Sequence, residues 1–292
     1  MLRLVLDKPQ ARAAPLSLFA VSAVFHYLGP SLAVLLFARL DVPGVAWLRI
    51  ASAAVLLALW QRPWRLLRPG PARGPRTSWG TVVVLGVVLA LMNSAFYLAV
   101  ARLPLATVGA IEFGGTVLLA ALGARTVRNA VALALTTGGV AAVTAIRITG
   151  QPAGFAFAFA NCALFVTYVV LGHRIASTGG PGGLDRLAAA MVVAAAAVTP
   201  WGLRGALPAF AHPLLLAEGA GVGVCSSVIP YVTDQLAMAR LPRATFSLLL
   251  ALLPVCATLT GAVILRQVPT AGDVAGITLV VLGVALHQET RK

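Results

Sequence analysis

Charge is what this sequence has least of. Of its 292 residues only 10% are Asp, Glu, Lys or Arg, against 60% hydrophobic, and the mean hydropathy is +0.94. A soluble domain carries roughly 25% charged residues, so too little polar surface exists to coat a water-soluble globule. Acids are scarcest, eight against 22 basic residues. Cysteine is almost missing. Cys162, Cys225 and Cys256 each lie inside an apolar run with no C-x-x-C among them, which excludes a disulfide framework or cysteine metal site and leaves small apolar fillers. The four histidines, His26, His173, His212 and His287, are scattered, and no H-E-x-x-H occurs. The glycine-rich Gly219–Gly223 has no lysine after it, so it is no phosphate loop. A metal centre, an ATPase, a cofactor and a clustered acid–base–nucleophile enzyme site are therefore not expected.

What is present is apolar length. Runs near the span of a bilayer recur at about 16–37, 44–60, 79–99, 105–122, 130–146, 154–172, 185–203, 214–237, 244–264 and 273–288, and such runs with few charges predict transmembrane helices. The first fifteen residues are too weakly apolar for a cleaved leader, so the first span is expected to be retained. The net charge of +14 reads as topology rather than nucleic-acid affinity, because the basic residues sit in short loops without interleaved aromatics. With the N-terminus placed inside, sixteen Lys and Arg fall on the cytoplasmic side, among them Arg62, Arg65, Arg68, Arg73 and Arg76. Five fall opposite: Arg39, Arg102, Arg147, Arg204 and Arg266. Arg49 lies inside a span. This bias predicts both termini in the cytoplasm.

One decapeptide is written twice. LAVARLPLAT (Leu98–Thr107) and LAMARLPRAT (Leu236–Thr245) differ at two positions. They join spans 3 to 4 and 8 to 9, five spans apart, so each copy crosses the membrane in the opposite sense. His26–Tyr27 and Thr167–Tyr168 give a fainter echo in spans 1 and 6. The predicted architecture is an all-α integral membrane protein of ten transmembrane helices in two inverted five-helix repeats, residues 1–150 and 151–292. Inverted repeats are a signature of secondary transporters, whose substrate sits near the midplane between the repeats.

Ionisable groups inside a bilayer are expensive and by default face the bundle interior or a wet cavity. Glu112 stands mid-span with no basic neighbour on its own helix. It either meets the ammonium of a zwitterionic amino acid, exchanges a proton during the cycle, or holds helices together through a hydrogen bond. His26 offers proton coupling or substrate contact, or serves as a satisfied core histidine. Arg49 pairs with an acid, caps carbonyls or attracts a carboxylate. Asp234, near the cytoplasmic end of span 8, reads as interfacial. Tyr27, Asn93, Tyr97, Asn161, Phe165, Tyr168, Ser227 and Tyr231 complete the candidate substrate-binding set, since polar groups among aromatics are the usual lining of a small-molecule site; helix packing is the alternative for each. Pro30, Pro230 and Pro254 interrupt spans and are candidate hinges.

The stretches VPGVAWLRIA (Val42–Ala51), MNSAFYLAVARLPLATVGAIEF (Met92–Phe113), YVVLGHR (Tyr168–Arg174) and SSVIPYVTDQLAMARLPRATFSLLLALLP (Ser226–Pro254) together resemble the EamA family of the drug/metabolite transporter superfamily. Within it, the sequence is most similar to bacterial inner-membrane threonine and homoserine exporters. The resemblance covers nearly the whole chain. It implies a multi-pass inner-membrane carrier, a monomer or homodimer in lipid, that exports small amino acids by alternating access, without nucleic acid or cofactor. Two positions differ from the family pattern: Leu253–Pro254 stands where the family has Glu-Pro, and Thr116 where a proline follows the span-4 glutamate. The first difference removes an intramembrane acid. Aromatic amino-acid exporters share the superfamily, so broader amino-acid specificity is open, as is efflux of aromatic or cationic compounds. A membrane scaffold would not explain midplane ionisable groups and an inverted repeat.

Overall fold

A backbone in hydrocarbon finds no water to bond, and a helix satisfies its N–H and C=O groups internally. The computed structural model describes residues 9–67, 79–121, 126–145, 152–177, 182–250, 253–266 and 268–286, and the regular structure among them is helical. The first half comprises α1 (Pro9–Leu36), α2 (Val42–Gln61), a short 3-10 turn (Pro63–Leu67), α3 (Trp79–Val100), α4 (Leu105–Ala121) and α5 (Val127–Ala145). The second comprises α6 (Pro152–Ser177), α7 (Gly182–Phe210), α8 (Pro213–Gly223), a π-turn (Val224–Val228), α9 (Ile229–Met238), α10 (Arg243–Leu250), α11 (Leu253–Ile264) and α12 (Ala271–Leu286). Six helical rods are long and apolar enough to cross a membrane: α1, α2, α3, α6, α7, and α8 to α9 as one rod through the π-turn. The other helices are shorter over their described residues. Of the basic residues counted for topology, Arg3, Lys8, Arg68, Arg73, Arg76, Arg125, Arg147, Arg291 and Lys292 lie outside the described residues.

Within the span read at 244–264 the structure describes helix over Arg243–Leu250 and Leu253–Ile264. Two expectations need correction. Pro30 does not interrupt α1, which runs unbroken past it. The seventh helix extends to Phe210 although it contains Pro200 and Pro208. The side chains of Thr116 and Pro254 lie outside the described residues.

The bundle is apolar outside as well as inside. On α3, Val83, Val87 and Leu91 are exposed at four-residue spacing while Leu85, Leu89, Asn93 and Phe96 are buried. The exposed stripe fits lipid, and the buried face carries the helix's polar groups, as expected where the solvent is hydrocarbon. Trp60, Trp64 and Trp79 are exposed around the α2–α3 connection, the placement of an interfacial aromatic belt.

The two decapeptides fold alike. In the first, the N–H groups of Ala101, Arg102, Leu103 and Val108 donate to Tyr97, Ala99, Ala99 and Pro104. In the second, those of Ala239, Arg240, Leu241 and Phe246 donate to Gln235, Ala237, Ala237 and Pro242. Every bond has its counterpart 138 residues on. Helix contacts repeat in the same way. α3 packs on α6 and α7, as the α8–α9 rod packs on α1 and α2; α4 packs on α6 as α11 packs on α1; α2 meets α7, and α5 meets α12. Helix exchange between halves therefore leaves the contact pattern largely unchanged.

Candidate functional site

The helices that alternate between the halves enclose one central cavity. His26 and Pro30 of α1, Arg49 of α2, Met92, Asn93 and Phe96 of α3, Glu112 of α4, Asn161 and Phe165 of α6, and Tyr231 of α9 line it. The space open to the centre of a water molecule is about 10 Å³, room for about one water. The site is closed around its own side chains, so a ligand of several heavy atoms requires the helices to separate. Two wider recesses, of about 610 Å³ beside Asp41, Arg102 and Arg204 and about 360 Å³ between α1 and α8, contain none of the candidate site residues.

Glu112 is 2% exposed. Its Oε1 accepts a hydrogen bond from Asn161 Nδ2 at 3.0 Å, and its Oε2 a long one from the Tyr27 hydroxyl at 3.4 Å. No cationic side chain pairs with it among the described residues. Asn161 Oδ1 and His26 Nδ1 are buried without a hydrogen-bond partner. Unsatisfied buried polar atoms are costly, and both residues line the cavity. The His26 ring is set in aromatics, 5.8 Å from Phe165 and 6.1 Å from Phe113, centroid to centroid. The Tyr231 hydroxyl donates to Asn93 Oδ1 at 3.0 Å, and Asn93 Nδ2 donates to the Leu89 carbonyl at 2.7 Å.

Of the candidates named from sequence, His26, Asn93, Glu112, Asn161, Phe165 and Tyr231 thus share the cavity wall, with Pro30 beside them. Tyr27 stands behind Glu112, and Ser227 accepts from Arg49. Tyr97 packs its ring 5.2 Å from the Arg49 guanidinium carbon. Tyr168 belongs to a second cluster, donating to Asp234 Oδ2 at 3.2 Å, while the Ser22 hydroxyl donates to Oδ1 at 2.5 Å. Asp234 is fully buried between helices of both halves. It continues the Ser227–Tyr231 face of the rod at spacings of four and three, a pattern present in the sequence. Pro230 is the second residue after the π-turn, and Pro254 lies within α11. Arg49, read from the sequence as a partner of an acid, a carbonyl cap or an attractor of a carboxylate, lines the cavity, and so do Phe96 and Met92, of which Met92 was not a candidate. Phe96 lies one turn from Asn93 in the sequence; for Arg49 the ionisable residue inside a span was the signal.

Comparison with known proteins agrees with this picture. Residues 152–287 match the EamA-like transporter family. The threonine/homoserine exporter RhtA of Escherichia coli strain K12 is 29% identical over 263 residues, 88% of this chain and 85% of its own. That of Salmonella typhimurium strain LT2 is 29% identical over 259 residues, 87% of this chain and 84% of its own. A solved crystal structure shares the fold at 19% identity, with a TM-score of 0.63 over 92% of this chain and 96% of that one. The resemblance to EamA transporters rests on the family match in the second half and on relatives that span both halves, and the six long apolar helices suit a multi-pass membrane protein.

Proposed function

We propose that the protein is a secondary transporter that exports small amino acids, threonine- or homoserine-like, across the bacterial inner membrane. Ten membrane helices in two inverted halves, residues 1–150 and 151–292, with both termini cytoplasmic, rearrange around the central cavity. One observation carries the reading: Glu112, a buried carboxylate without a cationic partner among the described residues, faces a cavity walled by helices of both halves. Such a group supplies a counter-charge to an ammonium, and its helix neighbours exclude competing water. The matched turns and repeated helix contacts support the duplication. A site closed to about 10 Å³ must open to admit a ligand, which suits alternating access. The names of the relatives support the substrate class.

Efflux of an aromatic or cationic compound is the second reading, favoured by the aromatic wall of Phe96, Phe165 and Tyr231 around the same carboxylate. The Arg49 charge in that wall opposes a purely cationic cargo. Uptake of labelled threonine into liposomes holding the purified protein separates them, with unlabelled amino acids and cationic drugs as competitors. Saturable uptake blocked by small amino acids is expected. Drug transport without threonine transport would replace the first reading with the second.

A further inference from the structure

Arg49 is a basic side chain buried in the bundle. It is 5% exposed, and no carboxylate pairs with it among the described residues. Its polar partners are neutral: Nε donates to Ser227 Oγ at 2.9 Å and Nη2 to the Ser226 carbonyl at 2.7 Å. It lines the same cavity as Glu112, yet the two do not pair. Glu112 is instead held by Asn161 and Tyr27. The wall therefore presents one basic and one acidic side chain that form no ion pair with each other. Keeping a buried charge uncompensated is costly unless a ligand supplies the counter-charge.

Resting on the amino-acid reading above, we infer that Arg49 receives the substrate's carboxylate while Glu112 receives its ammonium, so that the site selects zwitterions and rejects amines that lack the acid. A guanidinium presents a planar fork of donors that matches a carboxylate in two parallel bonds. The partners that Arg49 now holds explain how it is kept ready. Pro230 has no N–H to offer the Ser226 carbonyl four residues back, and Arg49 takes that carbonyl. Both groups that Arg49 holds lie in the π-turn Val224–Val228. Single π-turns inside helices recur at functional sites. A carboxylate drawing on Arg49 competes with these two neutral acceptors and loosens the π-turn, so that substrate occupancy is felt where the α8–α9 rod deviates from an α-helix.

The test uses liposomes holding the full chain and measures inhibition of threonine uptake by unlabelled threonine and by the matching amino alcohol, whose carboxylate is replaced by a hydroxymethyl group. In the wild type, threonine should compete at least about tenfold better than the amino alcohol, the scale of a charge-assisted hydrogen bond. Arg49→Gln, assayed by direct binding to the purified protein, should bring the two ligands within about twofold of each other, and Arg49→Lys should restore part of the difference. Equal competition in the wild type overturns the inference without any variant. So does an Arg49→Gln protein that weakens both ligands alike, since that marks Arg49 as a cap for the π-turn only. Absence of threonine transport in the wild type overturns the amino-acid reading itself, a result distinct from either.

Discussion

Replacing Glu112 by glutamine separates charge from shape at the centre of the cavity. Asn161 Nδ2 reaches one oxygen at 3.0 Å and the Tyr27 hydroxyl the other at 3.4 Å. Glutamine keeps the volume and one oxygen, so the Asn161 bond survives. The new amide NH2 faces Tyr27, whose hydroxyl can rotate to accept. The fold should therefore lose only about 1 kcal/mol or less. What disappears is the negative charge that an ammonium would meet. A hydrogen bond to a charged group contributes about 1.5–3 kcal/mol, roughly 10–150-fold in affinity. Threonine uptake by reconstituted Glu112→Gln protein should show that loss in KM or in rate, with protein yield and thermal midpoint near wild type. The pH profile gives a second readout. Ammonium binding needs the ionised carboxylate, so wild-type uptake should fall as acid protonates it, and the variant should lack that acidic limb. Uptake within twofold of wild type, with the same pH profile, would refute a role for Glu112 in substrate or proton handling.

Pro230→Ala restores an N–H opposite the Ser226 carbonyl that Arg49 now holds; transport rate should change more than yield, and an unchanged rate removes Pro230 as a hinge. A side chain at Gly29 would place its Cβ 2.6 Å from the Ser226 backbone nitrogen and 2.8 Å from its Cα. Backbone cannot yield as a side chain can, so Gly29→Ala should cost about 1–3 kcal/mol, read as a lowered thermal midpoint in detergent; an unshifted midpoint would show that α1 moves off the π-turn freely. Asp234→Asn leaves the Ser22 and Tyr168 hydroxyls facing a neutral amide, at a cost of about 1–3 kcal/mol, measured by the same melt; wild-type stability would mean the cluster holds nothing. Arg39→Ala removes an ion pair of 3.6 Å between half-exposed side chains and should shift stability by less than about 1 kcal/mol, so a large loss would contradict its surface placement.

Much of the site was legible because hydrocarbon makes polar residues conspicuous. Glu112 and His26 stand out in spans that otherwise carry almost no charge, and Asn161 and Phe165 fall one turn apart on one helix face. Arg49 stood out equally, yet its choice among an acid, a carbonyl and a ligand depends on which helix lies opposite. The partners of Asp234 were not legible, because position along one helix does not say which helices lie beside it. The rod carrying it contains a π-turn, and α1 and α6 cover it with Ser22 and Tyr168. Leu253 is buried, so the acid of the family pattern is replaced there by core packing.

The sequence by itself determined the apolar composition, the helical runs and the repeated decapeptide. Those are properties of composition, run length and repeated spelling, which need no knowledge of neighbours. Tertiary structure decided which polar groups meet. Glu112 joins Asn161, 49 residues away, and Arg49 joins Ser227, 178 residues away. Contacts between helices so distant in the chain depend on the rotation of each rod about its axis. These rods are apolar nearly all round, and the hydrophobic pattern that would set that rotation in water is too weak here to be read before the bundle is packed.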